Sequence, residues 1–190
     1  MNRPSMGGLI VVLALLSSPA LAGDKYAETI KVFKDASQSA AFFGNSYGYA
    51  VFPNIGKGGI GVGGAHGSGR VYEQGNYVGD TSMNQVTVGF QFGGQAYRQI
   101  IFFEDKRAFT EFTSGNFEFG AQATAVAITA GASAQASTAG GVGTSASTND
   151  EHAKNTGGYQ KGMAVFTVAK GGLMYEATIG GQKFGYKPKK

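Results

Sequence analysis

The sequence predicts an α+β fold in which a strongly curved antiparallel sheet, or a barrel-like β-sandwich, is combined with an N-terminal helix and one short internal helix. Three observations support this fold class: a helical spacing of apolar residues near the start, a long region of alternating side chains interrupted by glycine, and a short block that occurs twice. The 32 glycines among 190 residues fit many short strands joined by tight turns.

The first 22 residues have the pattern of a secretory signal. Arg3 supplies a positive charge, Leu9 to Leu16 form an apolar run, and a small-residue Ala-Leu-Ala motif ends at Ala22. The run is shorter than the roughly 20 residues of a membrane-spanning helix, so we expect cleavage near Ala22 rather than a retained membrane anchor. The protein is then exported, periplasmic or associated with the cell envelope, and residues 23–190 form a single domain.

Composition limits the classes of partner and of chemistry. The absence of cysteine excludes a disulfide framework, a thiol nucleophile and cysteine-ligated zinc. A formal net charge of +4 favours anionic partners without identifying one. Nucleic acid is not an expected partner, because export separates the protein from it and the sequence contains no nucleic-acid recognition motif.

The region from Asp24 to about Phe43 has helical periodicity. One side of the predicted helix carries Tyr26, Ile30, Phe33 and Ser37. We expect one amphipathic helix, broken near positions 37–39. Its aromatic stripe either packs on the sheet of the same domain or lies on a membrane surface.

Short β segments separated by glycine follow from Tyr47 to Ile101. Alternation predicts strands at Ala50 to Phe52, Ile55 to Gly64, Arg70 to Tyr72, Asn76 to Val78, Val86 to Phe92 and Ala96 to Phe103. Glu73-Gln74-Gly75 is typical of a hairpin turn, and we expect Gly63 to Gly69 to be a connection between strands.

The second half of the sequence contains one more helix signal and further strands. Asp105 is a predicted N-cap and Gly115 a predicted helix end. Small side chains alternate from Phe117 to Ala130, and positions 131–158 have the composition of a flexible surface loop or, alternatively, of a hairpin that extends the preceding strand. Closing strands are predicted at Met163 to Val168, Leu173 to Ile179 and Lys183 to Tyr186.

A repeated block predicts a pseudo-repeated β unit. Gly48 to Phe52 followed by Lys57-Gly58-Gly59 resembles Gly162 to Phe166 followed by Lys170-Gly171-Gly172. We expect each copy to be a strand followed by a lysine-bearing glycine turn, with Gly58, Gly59, Gly171 and Gly172 as structural turn residues. Chance similarity within a glycine-rich chain is the alternative.

Five short blocks of apolar residues and glycine are spread along residues 23–190. They are Tyr49 to Pro53, Lys57 to Gly64, Gly67 to Val71, Val88 to Gln95 and Lys161 to Phe166. Together they resemble the SYLF domain family, which occurs in eukaryotic endocytic proteins that bind phosphoinositides, in a fungal actin-patch protein and in bacterial exported proteins. The resemblance implies binding of lipid or phosphatidylinositol without catalysis. Actin is not an expected partner here, because an exported protein does not meet it.

Residues for catalysis are not arranged in a recognisable pattern. Gly59 to Gly64 formally fits a dinucleotide-binding motif, but β structure follows it instead of the required helix. His66 and His152 lack the spaced partners of a metal site or a general base. We therefore expect no enzyme activity, no metal and no cofactor.

Basic residues near the glycine turns are the candidate site. They are Lys57, Arg70, Lys161, Lys170 and Lys183. If they converge, they predict a site for an anionic lipid or membrane surface, whereas solvated turn lysines are the alternative. The sequence thus favours a non-enzymatic lipid-binding envelope domain. The alternative is an outer-membrane or envelope structural β-protein that contacts another envelope protein and has no specific lipid ligand.

Overall fold

The computed structural model describes residues 24–60, 62–88, 95–121, 123–128, 158–170 and 179–190. Several predictions lie outside the described residues. These are the signal at 1–22, positions 131–157 of the predicted loop, the turn residues Gly171 and Gly172, His152, and all of the predicted strand at 173–179 except Ile179.

Within the described residues, eight strands form one mostly antiparallel sheet that is strongly curled into a half-barrel. The strands are β1 (Gly48–Ile60), β2 (Val62–Glu73), β3 (Asn76–Val88), β4 (Gln95–Phe103), β5 (Phe117–Glu118), β6 (Val126–Ile128), β7 (Met163–Ala169) and β8 (Lys183–Pro188). Their order is β5-β8-β3-β2-β1-β4-β7-β6, and among these described strands only β6 and β7 pair in parallel. The predicted α+β class with a strongly curved antiparallel sheet is confirmed.

The curl of the sheet is visible in contacts between distant strands. In a flat sheet β1 and β8 would lie about 14 Å apart, because β2 and β3 separate them. The rings of Phe52 on β1 and Phe184 on β8 nevertheless have centroids 5.7 Å apart. We call this concave side the inner face, and the side that carries Val51, Ile100 and Phe102 the outer face.

Three N-terminal helices cover part of the outer face: α1 (Lys25–Asp35), α2 (Ser37–Ala40) and α3 (Phe42–Asn45). Asp24 caps α1, and the extended backbone of Ala36 ends it, close to the predicted break. Tyr26 and Phe33 are buried against the sheet, which confirms the packing alternative for the aromatic stripe. Ser37 is exposed, so its predicted place on the buried stripe is wrong. No helix among the described residues is long and apolar enough to span a membrane.

The internal helix α4 (Lys106–Thr113) packs against the inner-face core through Ala108 and Phe112. Asp105 accepts a hydrogen bond from the backbone N–H of Ala108 at 2.8 Å, which confirms the predicted cap. Gly115 has φ +85° just after the helix, a conformation that glycine adopts without strain.

The structure confirms one of the two predicted connections around β2 and corrects the other. The turn at Gln74 and Gly75 is confirmed, since both have positive φ between β2 and β3. Gly63 to Gly69, however, lies inside β2 and is not a connection. The reason is close packing: a Cβ at Gly67 would come within 2.6 Å of Ile55 Cγ1 on β1, so this strand needs glycine where the sheet curls.

The two copies of the repeated block lie in β1 and β7, which flank β4. Ala50 lies opposite Ile101, whereas its counterpart Ala164 lies opposite Phe102, a difference of one residue in register. Ala50 therefore belongs to the inner-face core and Ala164 to the outer-face core. The block repeats as strand structure, but equivalent side chains point to opposite sides of the sheet.

Candidate functional site

Lys57 lies within β1 and not in a turn, which corrects its predicted setting. Its Cα pairs with those of Ala65 on β2 and Gln95 on β4. Gly58 and Gly59 continue the same strand opposite Gly64 and Gly63, so the turn itself comes after them. Because side chains alternate along a strand, Lys57 shares the inner face with the buried Ile55, two residues before it.

A β-bulge in β1 decides which way Lys57 points. The register with β4 shifts between Phe52 and Ile55, both of which are buried in the inner-face core. A regular strand would place residues three apart on opposite faces, and the extra residue restores Ile55 to the inner face. Pro53 lies in this interval, and β-bulges are among the positions where a strand tolerates proline.

Lys170 and Lys183 lie on the outer face at the same level of the sheet. Lys183 pairs with Asn84, Asn84 with His66, and His66 with Gly56 on β1. The next residue across is Ala96 on β4, whose carbonyl accepts the backbone N–H of Lys170 at 2.8 Å. We call this row the cation rung; its members are Lys170, Ala96, Gly56, His66, Asn84 and Lys183.

The helices leave the cation rung open to solvent. Lys170, Gly56, His66, Asn84 and Lys183 are all exposed. Lys170 Nζ donates to Asn54 Oδ1 at 3.3 Å, and Lys183 Nζ lies 3.5 Å from Glu118 Oε2. Such exposed contacts are weak, so both ammonium groups remain available to an anion.

Arg70 lies on the same outer face but has a structural role. Its guanidinium lies 4.1 Å from the centre of the Tyr26 ring and 5.0 Å from that of Tyr77. It also forms an ion pair with Asp24 at 3.4 Å. Arg70 thus holds the start of α1 against β2 and is only partly exposed.

Lys161 lies at the other end of the molecule. It occupies the turn before β7 with φ +52°, and its carbonyl accepts a hydrogen bond from Arg107 at 3.4 Å. Seven residues of β7, about 23 Å of strand, separate this turn from Lys170. The five predicted cations therefore do not form one pocket.

Residues 84–186, more than half of the chain, match the family described as Ysc84, Las17-binding protein actin regulator. The chain belongs to the Ysc84 (SYLF) domain family. The match confirms the resemblance found in the sequence. It covers Lys170 and Lys183, together with the part of β3 that carries Asn84.

The SYLF chain is also similar to Beta cell expansion factor A of Aeromonas veronii. The two are 28% identical over 159 residues, which make up 82% of this chain and 51% of that protein. The chain thus spans about half the length of the curated relative it matches.

The described part of this SYLF domain contains no group of three His, Asp or Glu residues that could hold a metal ion. His66 Nδ1 contacts Asn84 Oδ1 at 2.8 Å, which places its ring beside an amide and not beside a carboxylate. Asp105 is engaged as a helix cap. These residues offer positioned charge on an open sheet and no nucleophile held against a base.

Two buried amides of the SYLF domain form a structural pair in its core. Gln99 and Gln182 are fully buried and join their side chains by hydrogen bonds of 2.9 and 3.2 Å. Burial raises the pKa of Tyr97, whose hydroxyl accepts a hydrogen bond from Gln182. Burial, followed by the nearby Glu104, raises the pKa of Tyr159 to about 12, so both phenols are neutral at physiological pH.

Proposed function

We propose that this SYLF domain is a non-enzymatic envelope module that binds an anionic lipid surface with one end of its half-barrel. The observation that carries the proposal is the position of three lysines: Lys170 and Lys183 share one level of the outer face, and Lys57 lies within one residue of that level on the inner face. Lys57 is one residue closer to the β1–β2 hairpin than Gly56 of the cation rung.

The spread of these charges supports a surface rather than a single small ligand. Lys170 and Lys183 are five strand spacings apart, about 24 Å measured along the curled sheet. One phosphate group cannot bridge that distance, whereas a bilayer offers many head groups. Each lysine near an anionic surface contributes about 1 kcal/mol, less at high salt.

The site proposed here retains three of the predicted cations and changes the role of the others. Arg70 positions α1, and Lys161 lies at the opposite end of β7. Membership of the SYLF family supports the proposal that the domain binds a partner and does not catalyse a reaction. Actin is not proposed as a partner, because the protein is proposed to be exported through the signal at 1–22.

Flotation with vesicles tests this function. The purified protein should float with phosphatidylcholine vesicles that contain phosphatidylglycerol, and not with phosphatidylcholine alone. Replacing Lys57, Lys170 and Lys183 by Ala should weaken binding about a hundredfold, from about 1 kcal/mol for each charge. Added salt should weaken the wild type in the same direction.

A matched control replaces three exposed lysines elsewhere, Lys31, Lys34 and Lys106, by Ala. It changes net charge equally but should leave most of the affinity in place. Equal losses in both triple variants would mean that net charge alone drives binding. Absence of wild-type flotation on either vesicle would refute the lipid proposal and favour an envelope protein as the partner.

A further inference from the structure

Val62 and Val86 form an exposed apolar pair at one end of the sheet. Their relative exposures are 64% and 76%, and they are the large hydrophobic residues that stand out as exposed among the described residues. Single exposed apolar residues are common on protein surfaces and need no explanation. These two differ because they are neighbours on adjacent strands, β2 and β3.

The strand register places the two valines side by side. Val86 on β3 pairs with Gly64 on β2, and Val62 lies two residues before Gly64 on the same face. Diagonal neighbours of this kind have Cα atoms about 7–8 Å apart. Glycine at position 64 leaves no side chain between them, so both isopropyl groups are accessible together.

The valine pair lies beyond the cation rung along the strand direction. Val86 is two residues past Asn84, an offset of about 7 Å, and Val62 is four residues before His66, an offset of about 13 Å. Interfacial elements bury their apolar face about 5–10 Å into the boundary between head groups and acyl chains. The offset of Val86 therefore matches this depth, and Val62 lies a few ångströms deeper.

We propose that this end of the half-barrel enters an anionic bilayer, with Val62 and Val86 below the phosphates and the lysines at phosphate level. The inference rests on the proposed lipid function and specifies its orientation. A bilayer is the occupant that fits, because apolar side chains lie next to cations that spread along a wide rim. A soluble polyanion would use the lysines but would have no contact for the valines.

Tryptophan fluorescence tests the orientation, because the sequence contains no tryptophan and a single one reports its own surroundings. Val86→Trp should show a blue-shifted emission on phosphatidylglycerol-containing vesicles and quenching by brominated acyl chains. Val62→Trp should behave in the same way if position 86 perturbs folding. The matched control is Thr110→Trp on the exposed side of α4, where emission should not change.

A second measurement uses Val62→Thr together with Val86→Thr. Threonine keeps the β-branched shape in the strand, so the urea midpoint should not change. Vesicle affinity should fall about tenfold, because the apolar contact is lost. Binding to heparin, a soluble polyanion, should not change.

The outcomes separate the two proposals. Unchanged emission of Val86→Trp and Val62→Trp on vesicles that the protein binds would overturn the tip-first orientation and leave lipid binding intact. Unchanged vesicle affinity of the double threonine variant would overturn it as well. Absence of wild-type binding to any vesicle would instead refute the proposed function.

Discussion

The guanidinium of Arg70 stacks on the ring of Tyr26 at 4.1 Å and so fastens the first turn of α1 to β2. The same group reaches Asp24, the residue that caps this helix, at 3.4 Å. One side chain thus contacts both the cap and the first buried aromatic residue of α1. Because α1 packs on β1 within the outer-face core that contains Val51, this contact helps to keep apolar surface away from water.

Replacing Arg70 by Lys should lower the free energy of unfolding by about 1 kcal/mol. Lysine keeps the charge but loses the planar stacking that arginine makes with tyrosine. Urea denaturation measures the change. Arg107→Lys is the control, since its ion pair with Glu111 is exposed and worth little. Equal effects of the two substitutions would contradict a specific role for the Arg70–Tyr26 contact.

Gly69→Ala should destabilise the protein by about 2 kcal/mol, the typical cost of overpacking a filled core. The added methyl group would meet the Phe52 ring at 2.8 Å and the carbonyl of Val51 at 2.7 Å. Gly56→Ala is the matched control in the adjacent strand, where no atom lies within 4 Å of the added group. Thermal melting of both variants measures the difference, and equal melting temperatures would contradict the packing argument.

Local signals predicted the start of α4 and the β2–β3 turn correctly because their causes lie within a few residues. Asp105 caps α4 through a hydrogen bond to the N–H three residues ahead, and Gly75 supplies the positive φ of its own turn. Gly67 and Gly69 were assigned to a connection because glycine in sequence signals a turn. Glycine is required at these positions because Ile55 and Phe52 approach from the neighbouring strand, and only the folded sheet shows this approach.

The candidate site was predicted in composition but not in arrangement. Lys57 and Lys170 follow similar blocks, and the sequence alone suggested equivalent positions. The bulge near Pro53 shifts the inward–outward alternation of β1 by one residue. Lys57 therefore points inward, whereas Lys170 lies on the outer face. The exposed Val62 was missed, because only the register with β3 shows that it lies beside Val86.

Tyr159→Phe should reduce the loss of stability at alkaline pH. Its phenol has a pKa raised to about 12, whereas an unfolded tyrosine ionises near pH 10. Between these values the unfolded chain releases a proton that the folded chain keeps, so the free energy of unfolding falls as pH rises. Below about pH 10 the phenol is protonated in both states, so it causes no change of the free energy of unfolding with pH. Urea denaturation at about pH 8 and about pH 11 measures it, and an identical wild-type-to-variant difference at both values would contradict it.

Because Gln99 and Gln182 are joined by hydrogen bonds, the effects of their substitutions on the free energy of unfolding should be strongly non-additive. Gln182→Leu leaves both polar ends of the buried Gln99 amide without their partner, a cost of about 2 kcal/mol. The double change to Leu removes both amides, so its cost should be at least about 1 kcal/mol smaller than the sum of the single costs. A double-mutant cycle in urea measures this coupling. Additive costs would mean that each amide is satisfied independently, which the paired geometry in the core of the half-barrel argues against.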